Sequence, residues 1–314
     1  MFRIKTTIKN IWNIIRIESL DFRYQITYSL SSPFRDTESM MTARIMLIMH
    51  QLEKGLSHNS RRANWGKEKA YALSSNILSF YTKYPDNSRI QTAIDILEQY
   101  KEDQAASKDP RLIQKIESVL KYKKKKESSG GVKKVSEPTF LCSSEAIWQF
   151  FSTRSSVRNF SNKEIPRVVF KNAERFASLT PTACNRQSSK VYFYKDKNII
   201  SEILDTQLGD QGWCNNASAL FVVVGNGSYF NASYESKQVY IDGGMFAMNF
   251  CLGLHLQKIA TCFKMYVRSP KEDRRFHKVT RIPQNEIPIV LIMAGYYPND
   301  GKEYYSPLSY RQSY

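Results

Sequence analysis

Five cysteines in 314 residues, scattered and never spaced as Cys-x-x-Cys, are too few and too irregular for a disulfide framework or a structural zinc site. A reducing cytoplasm is therefore the expected setting. The four histidines, His50, His58, His255 and His277, have no metal-ligand spacing. No apolar run approaches the ~20 residues that a bilayer span needs, and a mean hydropathy of -0.46 speaks against a polytopic membrane chain. With 42% hydrophobic residues the sequence is equally far from a disordered one. Acidic residues are the other shortage. Lys and Arg total 46 against 29 Asp and Glu, a formal charge of +17. Such an excess points to an anionic partner, whether nucleic acid, anionic lipid or an anionic cofactor.

The charge is spread over both halves of the chain, with one dense block at Lys121 to Lys126. Residues 3 to 16 mix Arg3, Lys5, Lys9 and Arg16 with Ile4, Ile8, Ile11, Trp12 and Ile15 at helical spacing, and no small-residue cleavage site follows. This segment reads either as a helix docked on its own domain or as one lying on an anionic membrane surface. From about 36 to 125 the pattern is helical: Met40 to Leu56, Lys67 to Tyr84, Ile90 to Tyr100, and a last helix opening at Asp109-Pro110. Pro85 to Ser88 breaks one helix and caps the next. Lys121 to Pro138, around Ser128-Ser129-Gly130-Gly131, reads as a flexible solvated linker, with a nucleic-acid-binding tail as the alternative. The expected division is a helical region at 1–125, a linker at 126–140 and a second domain at 141–314.

Beyond residue 139 the texture changes. Helices are expected at Ser143 to Phe151 and at Pro166 to Ser178, with Pro166 in the first turn, and a buried helix at Gly243 to Leu256 with Asp242 as its cap. Strands are expected at Val191 to Tyr194, Ala219 to Val224 and Ile287 to Tyr296, with another beginning at Ala260. This is an α+β arrangement, a sheet with helices packed on it.

Several segments carry groups suited to chemistry. Arg154-Ser155-Ser156-Val157-Arg158 offers two guanidiniums separated by hydroxyls, a donor set that can grip one dianionic phosphate. In Pro181-Thr182-Ala183-Cys184-Asn185-Arg186-Gln187, small residues allow close approach of a planar ligand, and Asn185 and Gln187 supply paired donors and acceptors. Asp242-Gly243-Gly244, Ala260-Thr261-Cys262 and a C-terminal Arg311 complete the set. Cys184 and Cys262 are either reactive thiols or small buried hydrophobes. His50 and Glu53, at i and i+3, are half of a metal site, a polar pair over a pocket, or neighbours of a helix end capped by Gly55 in the αL conformation. Asn231-Ala232-Ser233 fits a glycosylation sequon, which has no meaning in a cytosolic setting.

In order and spacing, the five pieces resemble the FMN-dependent nitroreductase superfamily over about residues 143 to 314. The grip is Arg154, Ser156 and Arg158. The planar-ligand loop is Pro181 to Ser189, the helix start Asp242 to Gly244, the strand Ala260 to Cys262, and the last strand ends in Gly295-Tyr296-Tyr297-Pro298. The resemblance implies a nitroreductase-like fold with a mixed or antiparallel sheet, and a homodimer with FMN at the interface. It also implies ping-pong transfer from NADH or NADPH through the flavin to a small-molecule acceptor, without a nucleic-acid partner. Under it Arg154, Ser155, Ser156, Arg158 and Arg311 hold the phosphate. Pro181, Thr182, Ala183, Asn185 and Gln187 face the ribityl chain and ring, and the backbone of Thr261, Cys262 and Phe263 lies near the redox edge. No catalytic side chain is expected, because the flavin carries the electron chemistry. The sequence departs from the pattern at Ser188-Ser189, where the family has Pro-Trp, at Ala260, where it has glycine, and in the basic segment Lys264 to Pro270. The N-terminal half, with Arg44, His50 and Leu52 to Ser57, resembles the extension of nitroreductase-like proteins associated with polysaccharide biosynthesis. A non-catalytic flavin-binding scaffold in that setting is the alternative function.

Overall fold

Apolar residues at three- and four-residue spacing, started by side-chain caps, build the N-terminal half of the chain. In a computed structural model the described residues are 2–33, 36–58, 61–85, 90–124, 130–133, 138–207, 217–232, 234–266, 269–299, 301 and 306, with the side chains of 2–7, 9 and 10 left aside. α1 (Phe2–Tyr28) precedes α2 (Glu38–Ser57), α3 (Lys67–Lys83), α4 (Gln91–Glu102) and α5 (Pro110–Leu120). Thr37 caps α2 by accepting from the Met40 N–H at 3.4 Å. Asp109 caps α5 by accepting from Arg111 and Leu112, with Pro110 in the first turn. Ile45, Met49 and Leu52 of α2 share one core with Leu73, Ile77 and Phe80 of α3, Ile94 and Tyr100 of α4, and Ile116 of α5. Each fully buried large side chain contributes about 1.5–3 kcal/mol.

Two local expectations are corrected here. Gly55 is not an αL cap: it lies inside α2, its φ is not positive, and a Cβ there would stand 2.1 Å from the Trp65 ring. The glycine makes room for an aromatic ring. The segment after α5 is also not loose where it is described. Lys123 pairs with Asp95 at 3.3 Å and with Glu98, and the Lys124 N–H donates to Gln91. Gly130 and Val132 N–H groups donate to Asp95 and Gln99, both at 3.1 Å. The acids and amides of α4 thus tie down both described ends of the lysine-rich segment. Asp86, Asn87 and Ser88, expected to cap α4, lie outside the described residues, and Ile90 occupies the position before that helix without a side-chain cap.

The second half contains α6 (Ser144–Thr153), α7 (Arg167–Ala177), β1 (Ser189–Tyr194), α8 (Lys197–Leu204), β2 (Ala219–Asn226), α9 (Gln238–Leu256), β3 (Ile259–Met265), α10 (Pro270–Thr280) and β4 (Glu286–Tyr296). The strands form one antiparallel sheet in the order β1-β2-β4-β3. Alternation along β2 feeds two cores. Leu220, Val222 and Val224 pack with α8 and α10, and Ala219, Phe221 and Val223 with α7 and α9. The α+β architecture is therefore as expected, with the sheet wholly antiparallel.

α9 begins five residues before the expected start, so Asp242 is no cap; it sits within the helix and is fully buried. Pro166 precedes α7 at the capping position and is not in its first turn. α8 and α10 are additional to the sequence reading, although Asp196 and Ser269-Pro270 start them with ordinary caps. The C-terminal part of α1, beyond the 3–16 segment for which docking or a membrane surface was expected, docks on the fold. Leu20 and Tyr24 enter a cluster with Ala43, Met46, Tyr229, Phe230, Val239 and Ile287. The Leu30 N–H donates to the Phe230 carbonyl at 2.8 Å.

Candidate functional site

α6 ends at Arg154, where the backbone turns extended, and the chain then runs along the outer edge of β3. Ser156 forms a parallel bridge with Thr261, and the Val157 N–H donates to the Thr261 carbonyl at 2.9 Å. This places Arg154, Ser155, Ser156 and Arg158 beside Thr261, Cys262 and Phe263. Ser155 and Arg158 also bond locally, to the Thr153 and Ser156 carbonyls at 3.4 Å, and Ser306 donates to the Ser156 carbonyl at 3.1 Å. Thr261 and Cys262 are buried, with the Thr261 hydroxyl 3.3 Å from the Cys251 sulfur. The reading of Cys262 as a small buried hydrophobe fits this placement. Arg311 lies outside the described residues.

Arg154 is half-buried, and among the described residues no carboxylate pairs with it. Its charge is felt by three neighbours. Burial, reinforced by Arg154, holds His255 below its ordinary value, against the hydrogen bond to the Phe150 carbonyl. Burial pushes the Cys251 thiol and the Tyr297 phenol up, and Arg154 pulls both partly back. His255 also meets the Thr153 hydroxyl at 3.1 Å. The ends of α6 and α9 and the start of the 154–158 segment thus form a half-buried cationic corner.

The second group is the loop 181–187. Cys184, Asn185 and Gln187 all have φ near +50°, in a short turn with no glycine. Left-handed non-glycine residues cost of order 1–3 kcal/mol each unless the surroundings impose them. Two buried groups do so here. The Arg186 side chain is wholly buried and donates to the Ala183 carbonyl (3.0 Å), the Tyr229 carbonyl (2.6 Å) and both oxygens of Glu235 (2.5 and 3.0 Å). The Phe230 ring lies against the guanidinium at 4.8 Å. Asp242 accepts from the Ala183 N–H at 3.0 Å and from Gln238 at 2.7 Å. Burial raises the Glu235 carboxyl, but the bonds from Arg186 and the Asn231 N–H outweigh it and hold the group below the usual range. With its backbone locked, the loop turns Asn185 and Gln187 outward, exposed and 3.2 Å apart. Pro181 is exposed and Thr182 and Ala183 half-buried beside them.

Sequence reasoning missed Arg186, Glu235 and the true role of Asp242. No spacing rule links 186 to 235. The one available hint was an arginine standing among small residues, where a buried guanidinium demands acceptors.

The expected site residues therefore fall into two groups and not one. Asp242 anchors the loop near the start of α9, whereas Cys251 and His255 anchor the edge segment near its end. Nine to thirteen helical residues separate these anchors, about 14–20 Å along the axis. Along that helix Ile241, Met245 and Met248 are exposed, and α6 buries none of its residues and exposes Trp148 (75%) and Phe151 (51%). His50 and Glu53 meet each other at 3.1 Å, and among the described residues no group of three or more metal-ligating side chains occurs.

No curated protein matches the chain. Among solved structures it is similar to an FMN-dependent nitroreductase from Clostridium difficile R20291, with 16% identity over 53% of this chain and 97% of that one and a TM-score of 0.44. A nitroreductase family protein from Streptococcus pneumoniae TIGR4 aligns at 19% identity over 53% and 96%, with a TM-score of 0.44. Another from Clostridium difficile 630 aligns at 20% identity over 51% and 87%, with a TM-score of 0.42. Residues 152–211, which carry both the Arg154–Arg158 segment and the Pro181–Gln187 loop, match the model of the Nitroreductase family.

Proposed function

We propose that the chain is an FMN-dependent NAD(P)H oxidoreductase of the nitroreductase type, working as a homodimer in the cytoplasm. The observation that carries this reading is Arg154, a half-buried guanidinium with no carboxylate partner among the described residues, beside a histidine that burial holds below its ordinary value. A dianionic phosphate is a group that such a corner suits. Arg154 and Arg158 would hold the phosphate, with the Ser155 and Ser156 hydroxyls as further donors. Arg311 is proposed for the same role on the resemblance alone. Pro181, Thr182, Ala183, Asn185 and Gln187 would present a rigid polar edge to the ring system, and Thr261, Cys262 and Phe263 would wall the other side. When bound, FMN supplies the two-electron chemistry between NADH or NADPH and an acceptor. The protein binds, orients and excludes water.

Support for the dimer comes from the separation of the two groups. The exposed apolar stripe Ile241–Met245–Met248 runs along the helix that joins them, and α6 has an uncovered apolar face beside the grip. A twofold pairing through these surfaces would bring the loop of one copy toward the grip of the other. The domain division at 1–125, 126–140 and 141–314 is part of the same proposal, with the helical region shaping the acceptor side.

The test is an absorption spectrum of the purified protein, before and after added FMN and then NADH or NADPH without oxygen. Flavin bands that bleach with nicotinamide are expected. A protein that neither carries nor takes up FMN would refute the proposal, and one that binds FMN without nicotinamide turnover would be the flavin-binding scaffold.

A further inference from the structure

α1 has two apolar sides, and the fold uses only one. At 100° per residue, Leu20 and Tyr24 lie on the side that docks against Phe230, Val239 and Ile287. Ile8, Ile11, Trp12, Ile15, Phe22 and Ile26 fall within roughly a 100° arc on the opposite side. All six are exposed, Trp12 and Phe22 at 62% each. From Ile8 to Ile26 this arc is about 27 Å long. Arg16 and Arg23 are exposed on one margin of the arc. The sequence before Glu18 holds Arg3, Lys5, Lys9 and Arg16 and no acid. No helix among the described residues is long and apolar enough to cross a membrane.

We infer that α1 is a membrane-surface anchor, lying in the plane of an anionic lipid layer with this arc in the acyl boundary and its basic margin among the headgroups. An apolar arc with arginines along one margin and a tryptophan beside them has the composition of interfacial helices. The net charge of +17 favours an anionic surface. Docking through Leu20 and Tyr24 leaves the outer arc free to meet lipid while the rest of the chain keeps its fold.

The test is flotation of the full chain with phosphatidylcholine vesicles, with and without a third of phosphatidylglycerol, at low and high salt. Binding to the anionic vesicles only, weakened by salt, is expected. Arg16→Gln and Arg23→Gln should each weaken partitioning about fivefold. The double variant Ile11→Glu/Ile15→Glu should abolish flotation and leave the elution volume unchanged. That variant retains the Lys121–Lys126 block, so it separates α1 from non-specific attraction to the lysines. Trp12 emission should shift to the blue on binding, and Trp12→Phe should remove the shift. Failure to float with anionic vesicles would overturn the inference, as would undiminished flotation of the double variant. Its elution as a smaller species without lipid would assign the arc to a second copy and overturn it equally.

Discussion

Removing the carboxylate of Glu235 tests whether a buried ion pair holds the strained loop. Arg186 is wholly buried and uses four of its five N–H donor positions, two of them on Glu235. Glu235→Ala leaves a guanidinium in the interior with two carbonyl partners and no counter-charge. Breaking such a pair from one side costs about 3–5 kcal/mol. Glu235 keeps 18% of its surface exposed, so water can reach the vacancy and the lower end, about 3 kcal/mol, applies. At ~2–4 °C per kcal/mol for a domain of this size, the thermal midpoint should fall by about 6–12 °C.

Two controls sharpen the test. Arg186→Met/Glu235→Leu removes both charges and should recover most of the loss, because the desolvation penalty goes with them. The pH dependence has a definite sign. Burial raises Glu235 but the Arg186 and Asn231 bonds lower it by more, so its folded pKa lies below its unfolded one. The pair's contribution is therefore full above the unfolded glutamate value of ~4.3 and fades as pH falls through the lower folded value. The gap between wild type and Glu235→Gln should close over that acidic window. Circular dichroism melts report all three variants. A Glu235→Ala midpoint within about 2 °C of wild type would show that the pair does not hold the loop, and the account of the three left-handed residues would fail with it.

Other consequences are simpler to read. Arg154→Ala or Arg158→Ala should weaken FMN binding about 10- to 150-fold, the loss of a charge-assisted phosphate contact, measured by fluorescence titration. His255, held below its ordinary value by burial and then by Arg154, stabilises the fold fully above the unfolded histidine value of ~6.5 and less as pH falls through its folded value. His255→Gln should flatten the loss of stability as pH falls below about 6.5, as seen in denaturant midpoints. Met248→Glu, on the exposed stripe of α9, should leave the helical signal intact while lowering the dimer content by sedimentation and flavin retention with it.

Much of the architecture was legible because its causes are local. Asp109-Pro110, Ser143 and the spacing of Ile90, Ile94 and Leu97 mark helices by capping and periodicity, which neighbours in sequence decide. α9 was misread at its start because Asp242-Gly243-Gly244 resembles a capping signal, while the helix is buried enough to begin at Gln238 without a side-chain cap. Gly55 shows the same limit. A glycine after Lys54 suggests a helix end, but its reason is the ring of Trp65, ten residues away and unpaired with it by any pattern. For the candidate site, the grip and the loop were visible as donor sets. The groups that fix the loop were not, since Arg186 to Glu235 and Ala183 to Asp242 are contacts made only by the fold.

Both groups carry a cost that a single chain does not offset at the point where it arises. In the loop the cost is backbone strain at Cys184, Asn185 and Gln187, imposed by buried charges and spent on aiming two amides at solvent. At the grip it is the partial burial of the Arg154 guanidinium without a carboxylate partner among the described residues. Stability alone would remove either one: a glycine would relieve the turn, and a carboxylate would neutralise the corner. On the proposed function their placement at the two ends of one helix, with Met245 and Met248 uncovered between them, has a common explanation if the anion and the partner surface arrive together. The strained amides then gain a ligand edge, the guanidinium gains a phosphate, and the apolar stripe gains a cover in the same assembly.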